Sequence, residues 1–250
     1  MKKLINTSCC ILFFAAYSVA QEAPDRFAIF EDNVKPSMDV QYKEALKKLK
    51  NACEENKINS FSWVSVMFED NSYHHLVPIK GMGDLDKNMM ADLESKMGKE
   101  ALSSIFNELN QCVDRQTSSV VSFHKDMSYL EPAEGENFRD LLFWYVLPGK
   151  EMEAEKIIME WKGLYESKKA PNGYAVYKVD LGNEPGYVIV SWGKDEADHA
   201  VKMMKTHEMF GEEGNQLWSK TMLITKRYDS RRAWVLPEYS YGSTVVTAQK

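Results

Sequence analysis

The chain has 250 residues, 44% of them hydrophobic and 27% charged, with a formal net charge of −6. That apolar share is enough to build a packed core, while the acidic balance and the lack of a basic stripe exclude a nucleic-acid partner. No CxxC, HExxH, GxGxxG, GxxxxGKS/T or GxSxG pattern occurs, so zinc fingers, zincin proteases, dinucleotide folds, P-loops and α/β-hydrolases lack their usual sequence support.

Met1-Lys2-Lys3, an apolar run from Cys9 to Val19 and the small residues Ser18-Val19-Ala20 before Gln21 read as a secretory signal peptide over residues 1–20. The run is shorter than the roughly 20 residues a helix needs to span a bilayer. No later stretch is long and apolar enough to do so either, so the mature chain is expected to have no membrane span. Cleavage after Ala20 removes Lys2 and Lys3 but no acid, taking the net charge from −6 to −8, and places the protein in the periplasm or outside the cell. The mature chain keeps Cys53 and Cys112, too few for a disulfide framework. Their places near the C-terminal ends of two antiparallel helices argue against a bond between them.

Arg26 to Val34 reads as a strand that ends at Lys35-Pro36, because proline cannot continue a ladder. Residues 38–57 follow as an amphipathic helix whose apolar stripe is Tyr42, Ala45, Leu46, Leu49, Ala52 and Cys53. Asn59 to Lys80 alternates like a hairpin, and Asp84 to Val113 reads as helical with an interruption at Gly98. Ser118 to Leu130, rich in β-branched and aromatic residues, closes this half before the boundary at residues 131–136.

The second half replays that order. Pro148 stands 112 residues after Pro36, and the same shift lays Ala154, Ile157, Ile158, Trp161, Leu164 and Tyr165 on the first stripe. Past the helix the shift becomes 113 and pairs Phe61 with Tyr174, Val66 with Val179, Met97-Gly98 with Phe210-Gly211 and Val121 with Trp234. The layout expected is a signal peptide (1–20), two α+β repeats (21–132 and 137–242) and a C-terminal tail (243–250). Each repeat is β-α-β-β-α-β, a ferredoxin-like unit with an antiparallel sheet and both helices on one face. Ala28-Ile29-Phe30, Leu141 to Leu147 and Tyr187 to Val190 are apolar on both sides, so the second faces must also be buried. The expectation is two open sheets packed face to face with helices outside.

Element order, repeat length and hairpin pattern over residues 25–242 resemble the dimeric α+β barrel superfamily in fused tandem form. That resemblance implies a range of activities: haem-degrading and quinol monooxygenases, chlorite dismutase-like haem proteins, dye-decolourising peroxidases and members of no known activity.

Of the five histidines, His74 and His75 are strand neighbours and point to opposite faces, so they cannot share one metal. His124 and His199 sit among charges and read as solvent-facing. His207 lies in a helical segment fifteen residues after Trp192, and the resemblance implies haem as a cofactor with His207 as its iron ligand. The opening strand of the second half carries no Asn, where haem-degrading members place a third catalytic residue. The second half holds five of the six tryptophans. Trp144 and Tyr145 are successive, so one faces the helices and the other the space between the sheets. A ligand is expected in that space, bordered by Trp144 or Tyr145, Trp192 and His207. The methionines read as core filling and no protein-ligated metal site is expected. Three functions follow in order: a binding module for a small apolar or aromatic ligand, a haem-dependent or cofactor-free oxygenase, and a structural or interaction protein with a filled core.

Overall fold

The computed structural model describes residues 25–182 and 186–242; the expected signal peptide and the tail lie outside the described residues. The first half runs β1 (Arg26–Val34), α1 (Asp39–Glu55), β2 (Val64–Phe68), β3 (Ser72–Pro78), α2 (Ala91–Met97), α3 (Lys99–Cys112) and β4 (Val113–Phe123). The second runs β5 (Phe138–Val146), α4 (Glu151–Lys168), β6 (Tyr174–Leu181), β7 (Gly186–Gly193), α5 (Glu196–Leu223) and β8 (Thr225–Val235). Local chemistry sets the boundaries. Pro36 starts a 3-10 turn after β1, Asn71 takes the left-handed backbone (φ 63°) of the β2–β3 turn, and Asp195 caps α5 by accepting from the Asp198 N–H at 2.8 Å. Gly98 (φ 88°) separates α2 from α3, and Gly211 (φ 50°) kinks α5. Residues 84–90, expected to be helical, instead form a 3-10 turn and a loop before α2.

Two open sheets packed face to face are not what forms. All eight strands make one closed antiparallel barrel in the order β1-β3-β2-β8-β5-β7-β6-β4. The closure consists of two short ladders, Val66–Phe68 with Ala233–Val235 and Val120–Phe123 with Tyr177–Leu181. The physical reason lies at the edges. Open sheets would leave β2, β4, β6 and β8 with unpaired backbone groups, whereas joining them edge to edge satisfies those groups. Beyond these ladders β4 and β8 project exposed, mostly polar and charged stretches such as Asp114-Arg115-Gln116, a composition that discourages further strand addition.

The helices pack outside the barrel. The stripe of α1 is buried at all six expected positions, Tyr42, Ala45, Leu46, Leu49, Ala52 and Cys53, against Tyr73, Leu102 and Leu109. On α4, Ala154, Ile157, Ile158 and Leu164 are buried, with Val176, Tyr187, Phe210 and Leu217 around them. Cys53 and Cys112 are both buried and unbonded.

A polar chain crosses the first of these layers. Tyr42 donates to Asp32 Oδ2 at 2.5 Å, Gln116 donates to Asp32 Oδ1 at 2.8 Å, and His75 bridges Tyr42 (2.8 Å) and Ser65 (3.0 Å). Every member has a partner, so it reads as structural. His199 is buried, not solvent-facing as expected: its Nε2 lies 2.8 Å from Ser191 Oγ and its ring packs on Phe138.

Cleavage within the exposed residues 131–135 should leave two fragments that co-elute under native conditions, since both closing ladders cross between the halves. Fragments that separate as soluble monomers would contradict the closed barrel. A second expectation concerns pH. Burial holds His74 at about 4, partly offset by Glu31, and holds His75 and His199 below the ordinary 6.5. Below about 6.5 the unfolded chain gains protons that the folded chain refuses, so stability present above 6.5 is lost as pH falls toward 4, by about 1.4 kcal/mol per unit of depression. Urea midpoints measured from pH 7 to 4.5 should decline, less steeply in His74→Gln. A flat profile would show that these rings are not held neutral.

Candidate ligand site in the barrel lumen

Because successive strand residues face opposite ways, the ladder registers sort each strand into a helix side and a lumen side. On β5 the inward set is Arg139, Leu141, Phe143 and Tyr145, opposite Trp192, Val190, Val188 and Gly186 on β7. Leu141 and Phe143 join Val64, Val66, Phe68, Leu76, Ala233 and Val235 in an apolar belt inside the barrel. Tyr177 on β6 meets Phe27 and Phe123 ring to ring, with centroids 6.2 and 5.4 Å apart.

Two polar groups of opposite character punctuate these walls. His74 faces inward with its ring 4.1 Å from that of Phe68 and its Nε2 3.5 Å from Glu31 Oε2, without a hydrogen bond. The Arg231 guanidinium lies 4.4 Å over the Phe68 ring and pairs with Asp70. Arg139 forms the second group. Its Nη1 donates to the backbone carbonyls of Glu136 and Phe138. Burial lowers its pKa to about 10, opposed by Tyr177 and Glu136, which leaves it cationic at neutral pH. Burial raises the Tyr177 phenol, with Arg139 opposing, so it stays protonated.

The four residues expected to border the site divide evenly. Tyr145 points into the lumen beneath the Arg227 guanidinium, 3.6 Å from its ring, and Trp192 is buried there with its ring against Gly173, where an added Cβ would come within 2.6 Å. Trp144 is buried on the helix side, its Nε1–H donating to Thr225 Oγ1 at 2.7 Å and its ring packed on Tyr187; it borders no part of the lumen. His207 is exposed on α5, because the buried positions around it, Thr206 and Phe210, turn the opposite face of the helix inward. A haem iron needs a ligand beside an apolar slot, and His207 offers neither wall nor slot, so these residues do not fit haem bound through it. Among the described residues no group of three or more His, Cys, Asp or Glu side chains could hold a metal ion, and no helix is long and apolar enough to cross a membrane.

Arg139, Tyr177 and His74 were not expected from sequence as a site. Arg139 did leave a signal, a charged residue at the start of a strand that is apolar from Leu141 to Val146. An open depression of about 430 Å³ lies elsewhere, on the outer face of α5 between Glu212 and Leu223; its polar lining comes from a single exposed helix face and encloses nothing, so it is not a candidate site.

No family model and no curated protein matches the chain. Solved structures do. An anthrone oxidase-like protein superposes with a TM-score of 0.58 at 10% identity, covering 86% of this chain and 92% of that one. A proposed monooxygenase from Lactobacillus acidophilus gives 0.55 at 12% identity over 86% and 94% of the two chains. A mutant chlorite dismutase from Candidatus Nitrospira defluvii gives 0.52 at 8% identity over 86% and 93%. At such identities the likeness is one of fold, and the fold is that of the dimeric α+β barrel proteins.

Proposed function

We propose that the chain is a binding protein for a small apolar or aromatic molecule held in the barrel lumen. One contrast supports this reading above all. On the helix side Ile157 and Val176 are 0% exposed, whereas the inward residues Phe27, Leu76, Leu141, Phe143, Tyr177 and Val179 all keep intermediate exposure inside a closed barrel. An eight-stranded barrel is either filled by side chains or holds one small ligand. Walls that water can still reach favour the second case over a structural protein with a filled core. The signal peptide read at residues 1–20 supports export of this binder to the periplasm or beyond, and the repeated element order supports descent from one duplicated unit.

An oxygenase acting on the bound aromatic is the second reading, favoured by His74. A neutral imidazole without a hydrogen bond at Nε2 can take a proton from an acidic C–H or O–H, which opens a cofactor-free route to reaction with dioxygen. The anthrone oxidase-like and monooxygenase neighbours are compatible with that chemistry.

Titration of the mature protein with N-phenyl-1-naphthylamine, neutral at pH 7, should give saturable fluorescence enhancement at one equivalent. Leu141→Trp, which fills the belt, should abolish it while circular dichroism stays native, and His207→Ala should leave it unchanged. Enhancement that survives Leu141→Trp, or none in the wild type, would refute lumen binding.

A further inference from the structure

We propose that the ligand of the lumen is a monoanion, a small aromatic or branched carboxylate whose oxygens accept hydrogen bonds from Arg139 and the Tyr177 hydroxyl. The inference rests on the lumen reading above and names the class of molecule bound there.

Placing a guanidinium among apolar walls is costly unless its charge is compensated. Arg139 carries five N–H donors, yet among the described residues its hydrogen bonds run only from Nη1 to two neutral backbone carbonyls. No carboxylate forms an ion pair with it among the described residues. Glu136, the nearest acid by its effect on Arg139, accepts from the Ala133 N–H at 2.7 Å and pairs with Lys202. Asp140, the next residue along β5, faces the helix side, 3.9 Å from His199 and accepting from Ser230 at 3.1 Å. Tyr177 lies on the same inner wall, protonated, and among the described residues its hydroxyl has no hydrogen-bond partner. Neither residue is sealed, since both keep intermediate exposure. Two sets of donors with capacity to spare therefore lie on one inner wall, close enough for each to act on the other's ionisation, and both keep some contact with solvent.

The surroundings define the rest of the ligand. Trp192 lies directly across the ladder from Arg139, and Phe27 and Phe123 flank Tyr177. A planar apolar body fits against these rings while its carboxylate meets the guanidinium fork, a geometry that suits arginine better than lysine. Glu31 sits with His74 and Arg115 elsewhere on the wall and forms no ion pair with Arg139 among the described residues.

Calorimetric titration of the mature protein with 2-naphthoate and with its neutral analogue 2-naphthylmethanol, at pH 7.5, tests the assignment. The carboxylate should bind at least tenfold more tightly than the alcohol. Arg139→Gln should weaken naphthoate roughly 10- to 100-fold, the range for a hydrogen bond to a charged group, while moving the alcohol less than about threefold. Tyr177→Phe should produce a smaller loss in the same direction, and Arg139→Lys should keep part of the preference. Equal affinities in the wild type, or an Arg139→Gln variant that weakens both compounds alike, would overturn the anion site and leave the lumen reading standing. Failure of both compounds to bind would overturn the lumen reading and the anion site together. If Arg139→Gln does not fold, the comparison of the two compounds in the wild type still decides the matter.

Discussion

Closure of the barrel depends on two short backbone ladders, three residue pairs between β2 and β8 and four between β4 and β6. The shared interior of the molecule follows from their formation. They remove the sheet edges that two separate units would expose, and they set the inner faces of both halves around a common axis. The lumen is thus made by both halves at once: Val64, Val66 and Phe68 from the first meet Ala233, Val235, Leu141 and Phe143 from the second. Neither half alone encloses it.

The two faces of each strand then do different work. The helix-side face is closely packed, with buried aliphatic layers and a polar chain through Asp32, Tyr42, His75 and Ser65 in which each group is satisfied. On the lumen-side face part of the apolar wall stays accessible, including Phe27, Leu76, Leu141 and Phe143, His74 Nε2 lacks a hydrogen bond, and Arg139 forms no ion pair among the described residues. Folding tends to eliminate such costs, because each unpaired buried polar group forfeits the free energy of its lost water. The helix side keeps one such group too, the buried Tyr174 hydroxyl, so what separates the lumen face is the coincidence of unpaired groups with accessible apolar wall.

By itself the sequence determined the elements and their amphipathic faces. The stripe from Tyr42 to Cys53 is buried position by position, β1 spans Arg26 to Val34 as read, and the break read at Gly98 falls there. These are local matters, decided by periodicity, proline, glycine and turn chemistry within a few residues. Alternation also required His74 and His75 to part, and required one of Trp144 and Tyr145 to face inward. Only the tertiary structure decided which one, because alternation gives a period and not a phase when both faces of a strand are apolar. The same limit hid the edge pairing: a hydrophobic pattern reports the faces of a sheet, while β2–β8 and β4–β6 join through backbone groups that every residue carries alike. Arg139, Trp192 and Tyr177 share one wall through the β5–β7 and β6–β7 ladders, whereas Phe27 and Phe123 of the first half reach Tyr177 only because the barrel closes.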